Sequence, residues 1–117
     1  MILLRSLIYF LAMSLTILVY GLFIMLFGWL LPMMTRNRIG NHWSSVNMWL
    51  LKHVCGLDYR LRGAEHIPAE DEAAIVMSKH QSAWETISLR SIVGGRQSWI
   101  LKRELMWIPV FGWAIAV

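Results

Sequence analysis

The stretch AAIVMSKHQSAWETISLRSIVGG, Ala73 to Gly95, governs how the chain is read. Its first five residues are apolar and include Ile75 and Val76, which suits a short buried strand. A polar break comes next, and then an apolar-periodic segment closed by Gly94 and Gly95 that predicts a helix. His80 stands in the break, five residues before Glu85. Within one continuous helix, positions five apart point about 140° from each other. A His80–Glu85 pair therefore needs His80 in the turn and Glu85 in the first helical turn, folded back. The end of a strand in an α/β sheet is also where ligand sites gather. The same letters support a plainer reading. SAWE, Ser82 to Glu85, matches the capping box, in which Ser82 caps the amide of residue 85 and Glu85 reaches back to the amide of Ser82. The two readings compete for one carboxylate, and local sequence leaves both open.

Two other histidines have an acid at the same offset, His53 with Asp58 and His66 with Asp71. His53 reads as a polar residue near a helix end, favourable with the dipole there. His66 and Asp71 fall in the acidic loop AEHIPAEDE and read as a solvated surface pair.

Composition sets the wider frame. The 117 residues allow one small domain, yet 57% are hydrophobic, with seven Trp and eight Met. No charged side chain occurs between Arg5 and Arg36. About 20 apolar residues cross a bilayer core, so this run predicts a membrane helix over 2–33, longer than a signal-peptide core. Arg36, Arg38, Lys52, Arg60 and Arg62 against Asp58 make the next segment basic. That places the end of the run, and the rest of the chain after it, on the cytoplasmic side. Residues 64–85 are acidic, and the remainder is basic again through Arg90, Arg96, Lys102 and Arg103. The single cysteine, Cys55, excludes an intramolecular disulfide and a multi-cysteine zinc site.

Ile39, Trp43, Val46, Leu50 and Val54 recur at steps of three and four, predicting an amphipathic helix over 39–55 with Gly56 as its left-handed terminator. Leu57, Tyr59 and Leu61 alternate with Asp58, Arg60 and Arg62, the period of a half-buried strand. SWILK, 98–102, predicts a third strand, and IPVFGWAIAV opens another apolar helix. Strands alternating with helices predict an α/β fold. The expected layout is a membrane anchor at 1–56 and an incomplete α/β sheet domain at 57–117. The pattern stops at Val117 with too few strands for a whole sheet, which predicts a fragment of a longer protein.

SKHQSAWET resembles the first signature block of the glycerolipid acyltransferases, a histidine, four residues and an acid. LKRELMWIPVFGWAIA resembles their second block, and RLRGAEHIPAEDEAAIVMSKHQS resembles the lead-in that delivers the histidine. The match is to the bacterial 1-acyl-sn-glycerol-3-phosphate acyltransferases and covers essentially the whole chain. The usual acid is Asp; Glu85 is one methylene longer. The third block, which holds the acceptor's phosphate in that family, and the fourth, an apolar stretch with a proline, would both lie past Val117.

The resemblance implies transfer of an acyl group from acyl-CoA or acyl carrier protein to the free hydroxyl of 1-acyl-sn-glycerol 3-phosphate, giving phosphatidic acid. His80 would be the general base and Glu85 its orienting acid. Lys102 and Arg103 would meet the acceptor's phosphate, with two solvated cations as the plainer reading and Glu104 pairing with a neighbouring base. Trp107, Phe111 and Trp113 would line the acyl path or meet the membrane. No cofactor, metal or nucleic acid is implied; membrane lipids are. The expected location is the bacterial inner membrane, with the site facing the cytoplasm. The alternatives are an inactive truncated chain, a non-catalytic membrane lipid-binding protein, or an acyltransferase for another lysolipid.

Overall fold

A computed structural model describes residues 1–79 and 81–116. The first helix, α1 (Ile2–Phe27), has 26 residues, hence a length of about 39 Å. With the 3-10 turn Gly28–Leu30 it is, among the described residues, the one helix long and apolar enough to cross a membrane. Its outward leucines, among them Leu4, Leu11 and Leu15, are exposed. That suits a hydrocarbon surround about 30 Å thick.

The break comes at Leu31 and Pro32. Leu31 is extended, as a residue before proline tends to be, and Pro32 holds φ at −56° to open the next helix. Helix α2 (Met33–Leu50) therefore starts at Met33 rather than Ile39, and continues as a π turn, Leu51–Cys55. Gly56, at φ 71°, ends it as expected.

Polar side chains zip α2 antiparallel to α1. Tyr20 Oη lies 2.7 Å from His42 Nδ1. Thr16 Oγ1 accepts from Trp43 Nε1 at 3.2 Å and from Asn47 Nδ2 at 3.1 Å, and donates to the Met13 carbonyl at 2.8 Å. Cys55 Sγ approaches the Arg5 carbonyl at 3.8 Å, so it packs beside the start of α1.

The buried face of α2 is not its apolar stripe. Asn37, Ser44, Asn47 and Leu51 are buried, while Ile39, Trp43, Val46, Leu50 and Val54 are only half-buried. Small polar residues let α3 (Ala83–Val93) come close. Ser44 donates to the Ile87 carbonyl, and Ile87 and Ser88 are buried in the seam. A side chain at Gly40 would collide with the Arg90 guanidinium.

A 3-10 turn, Arg103–Trp107, leads to the short helix α4 (Phe111–Ala116), which packs on α1 where Gly21 faces Val110 and Ala114. Gly112 lies so close to the turn that a Cβ there would overlap the Met106 carbonyl. That neighbour is backbone and cannot swing aside. Gly112→Ala is expected to destabilise the fold by about 1–3 kcal/mol, as overpacking does. Thermal unfolding followed by circular dichroism checks this.

The α/β expectation is overturned. No strand forms among the described residues, and the architecture is all-helical. The segments predicted as strands, 57–62, 73–77 and 98–102, run without helical structure and without a ladder. Ile75 and Met77 are each 92% exposed. Alternation describes an extended backbone with two unlike faces, but a strand also needs a partner about 4.8 Å away to take its amides. None of the three segments finds one among the described residues. The packed interior instead comes from the helices.

Candidate active site

Glu85 occupies the third position of α3, and Ser82 is the N-cap with an extended backbone, φ −149° and ψ 169°. The capping box is fully formed. Glu85 Oε2 accepts the Ser82 backbone N–H at 2.8 Å and the Ser82 hydroxyl at 3.1 Å. The same hydroxyl oxygen accepts the Trp84 N–H at 3.1 Å. The backbone amides of Glu85 itself and of Ser82 hold this carboxyl below the usual glutamate range. Desolvation opposes these two amides with a smaller effect, and the serine hydroxyl and the Gln81 amide add lesser lowering contributions.

The side-chain and backbone donors of Ser82 both fall on one oxygen of this carboxylate, Oε2. A carboxylate has two oxygens and about four acceptor sites. Of the two readings that compete for this carboxylate in the sequence, the capping box is the one formed among the described residues. His80 lies outside the described residues.

The other two histidine–acid offsets do not pair. His53 Nδ1 lies 2.8 Å from the Trp49 carbonyl, and its ring stacks on Trp49 at 4.3 Å. Asp58 is taken instead by Lys52 at 2.7 Å, whose hydrogen bond lowers the carboxyl's pKa, with the Tyr59 amide assisting. His66 Nε2 sits 3.6 Å from Glu65, not Asp71, with both side chains exposed.

Lys102 caps the 3-10 turn and Arg103 begins it. Both are exposed, and among the described residues neither pairs with Glu104 or with Glu85. Trp107 is 80% exposed and Trp113 half-exposed. Ile108, Pro109, Val110 and Phe111 border an apolar groove of about 450 Å³ against Ser14, Ile17 and Leu18 of α1. No group of three or more metal-ligating side chains occurs among the described residues.

Arg90 was not singled out by sequence pattern. Its guanidinium is wedged on Gly40, burial lowers its pKa, and its Nε has no hydrogen-bond partner among the described residues. Only the proximity of α2 makes it unusual, and no local signal marks that.

The likeness to known proteins is extensive. The 1-acyl-sn-glycerol-3-phosphate acyltransferase of Pseudomonas aeruginosa is 36% identical over 114 residues, 97% of this chain. The chain is homologous to the 1-acyl-sn-glycerol-3-phosphate acyltransferase family. Acyltransferase relatives are found well beyond bacteria. The human 1-acyl-sn-glycerol-3-phosphate acyltransferase alpha is 32% identical over 81 residues, 68% of this chain. A chloroplastic 1-acyl-sn-glycerol-3-phosphate acyltransferase of Arabidopsis thaliana is 28% identical over 82 residues, 70% of this chain. The chain spans 43%, 28% and 21% of these acyltransferases respectively, less than half of each. No protein-family model matches it, and no solved structure does.

Proposed function

We propose that the chain serves acyl transfer from an acyl thioester, on coenzyme A or acyl carrier protein, to the free hydroxyl of 1-acyl-sn-glycerol 3-phosphate. The product is phosphatidic acid. The observation that carries this reading is the similarity to the Pseudomonas aeruginosa acyltransferase over 97% of the chain. Residues 1–56 act as the anchor and residues 57–117 contribute the reacting groups.

An alcohol is a poor nucleophile at neutral pH. A neutral imidazole, with an ordinary pKa near 6.5, takes its proton as attack begins. His80 is that base. The alcohol oxygen bonds to the thioester carbon, and the tetrahedral intermediate collapses with cleavage of the carbon–sulfur bond. The imidazolium then returns its proton to the departing thiolate. Glu85 accepts the other ring N–H of His80, holding the tautomer and stabilising the imidazolium. No acyl-enzyme forms, so Cys55 has no chemical part.

Lys102 and Arg103 are exposed and adjacent, which suits recognition of the acceptor's phosphate by charge-assisted hydrogen bonds. Replacing either by Ala is expected to raise the KM for the lysophospholipid about tenfold, the value of one such bond, and to leave the KM for acyl-CoA unchanged. Initial rates with each substrate varied in turn check this.

The length and apolarity of α1, with Arg36 and Arg38 beyond its end, support a cytoplasmic membrane location with the site on the cytoplasmic face. Acceptor and product are bilayer lipids. Drawing an acyl chain into water costs about 0.8 kcal/mol per methylene, and a membrane-held site avoids that cost. The deciding experiment expresses the complete product of the gene in membranes and follows labelled acyl-CoA with 1-acyl-sn-glycerol 3-phosphate. Labelled phosphatidic acid is the expected product; label on another lysolipid only, or on none, rules the reading out.

A further inference from the structure

The segment after Lys102 leaves large apolar side chains uncovered. Trp107, Ile108, Trp113 and Ile115 are all exposed. Scattered singly, such residues would mean little, but gathered in a patch they mark a contact surface. Here they are gathered. Trp113 and Ile115 lie on α4, Trp107 and Ile108 close the 3-10 turn before it, and Gly112 holds the two pieces together against the Met106 carbonyl. The patch continues onto α1. Ile108 and Leu18 border the same apolar groove and both are exposed, as are Leu15, Val19 and Leu22 of that helix. At the start of the turn stand two exposed cations, Lys102 and Arg103. Glu104 is the only acid in residues 98–117.

We propose that Trp107, Ile108, Trp113 and Ile115 form a second lipid-contacting surface, continuous with α1, that seats this segment at the headgroup level of a phospholipid leaflet. The inference deepens the membrane reading of the proposed function and rests on it. Tryptophan collects at membrane interfaces because its ring is apolar while its N–H seeks a partner. A cation beside an anionic leaflet adds about 1 kcal/mol. Taking that cation to the bilayer centre would cost at least about 2.5–3.5 kcal/mol, so Lys102 and Arg103 stop the patch at the interface. The patch adjoins the middle of α1, from Ser14 to Gly21, so this part of the helix lies near the interface and not at the bilayer midplane. The phosphate of a lysophospholipid lies at the same level, and the acceptor meets the two cations without leaving its leaflet.

Depth measurements test this without relying on activity. The complete gene product, its native cysteines replaced by serine, carries an environment-sensitive fluorophore through Trp107→Cys, Leu15→Cys or His66→Cys. It is reconstituted in vesicles of phosphatidylcholine and phosphatidylglycerol bearing a nitroxide either near the headgroup or near the chain end. The label at 107 is expected to shift to the blue and to lose more emission to the shallow nitroxide than to the deep one. The label at 66, in an exposed loop, is expected to read as in water. If 15 reads lipid while 107 reads like 66, this surface is wrong and the membrane reading stands. If 15 also reads water, the membrane reading fails and the surface goes with it. Stronger loss at 107 to the deep nitroxide overturns the headgroup placement. A blue shift at 107 that comes only with added acyl-CoA or lysophospholipid assigns Trp107 to a substrate path and overturns the surface too. Circular dichroism checks the fold, and Trp113→Cys gives a second position in the patch should Trp107→Cys fail to fold.

Discussion

His80→Ala is expected to reduce acyl transfer by about 10²–10⁴-fold, the contribution of a general base. Membranes carrying the complete gene product, assayed with labelled acyl-CoA and 1-acyl-sn-glycerol 3-phosphate, provide the measurement. Alanine removes the imidazole and leaves the alcohol to lose its proton to water. His53→Ala and His66→Ala are the matched controls. His53 is held by the Trp49 carbonyl and ring, and His66 faces Glu65 in solvent, so both are expected to keep rates within about twofold of wild type, the scale of surface substitutions. Activity persisting in the His80 variant would remove the base from the mechanism. A loss equal in all three variants would point to folding rather than chemistry.

Glu85→Gln is expected to have the second largest effect, and it separates the helix cap from the proposed orientation of His80. Glutamine completes a capping box as glutamate does, so α3 keeps its start. Its side-chain carbonyl can take the place of Oε2, accepting the Ser82 N–H and hydroxyl. The remaining position then becomes an amide NH₂, which cannot accept a ring N–H. The rate is expected to fall steeply. The loss approaches, as an upper bound, the roughly 10⁴-fold drop that Asp→Asn causes in a serine-protease triad. Thermal stability near neutral pH is expected to change little.

Acid titration supplies an independent readout of the same substitution. The Glu85 carboxyl is held below the usual glutamate range by its amide and hydroxyl donors. A group whose folded-state pKa is depressed contributes stability that is fully present above its unfolded-chain pKa. That contribution disappears as pH falls through the lower folded value. In Glu85→Gln this acid-side dependence is expected to vanish, and thermal unfolding at graded pH measures it. The carboxylate lies at the surface, so the effect is small, and the comparison with wild type carries the information.

Sequence alone was informative wherever the interaction is local. The capping box from Ser82 to Glu85 formed as its spacing required, because both partners lie within one helical turn. Gly56 ended the second helix in the left-handed region, since residues with a side chain resist that conformation. The apolar run before Arg36 formed a helix long enough to cross a bilayer, because uninterrupted apolar residues in water-free surroundings must satisfy their own amides. The homology to acyltransferases was equally legible in SKHQSAWET and LKRELMWIPVFGWAIA.

Other features were not local. Which face of α2 is buried depended on its neighbours: Ser44 donates to the Ile87 carbonyl of α3, Asn47 donates to Thr16 of α1, and Asn37 accepts the Gln97 N–H. An apolar stripe records only a preference for leaving water, and it is outweighed where a neighbouring helix offers hydrogen bonds to buried polar groups. The strands failed for a related reason. Alternation at Leu57–Leu61 and the run at Ala73–Met77 specify side-chain faces, whereas a sheet is made by a second chain segment at hydrogen-bonding distance, and no residue can supply that for itself. The sequence determined the helix boundaries set by glycine, proline and cap. Only the tertiary arrangement decided that Ser44 meets the Ile87 carbonyl, because that contact joins two helices whose residues lie far apart in the chain.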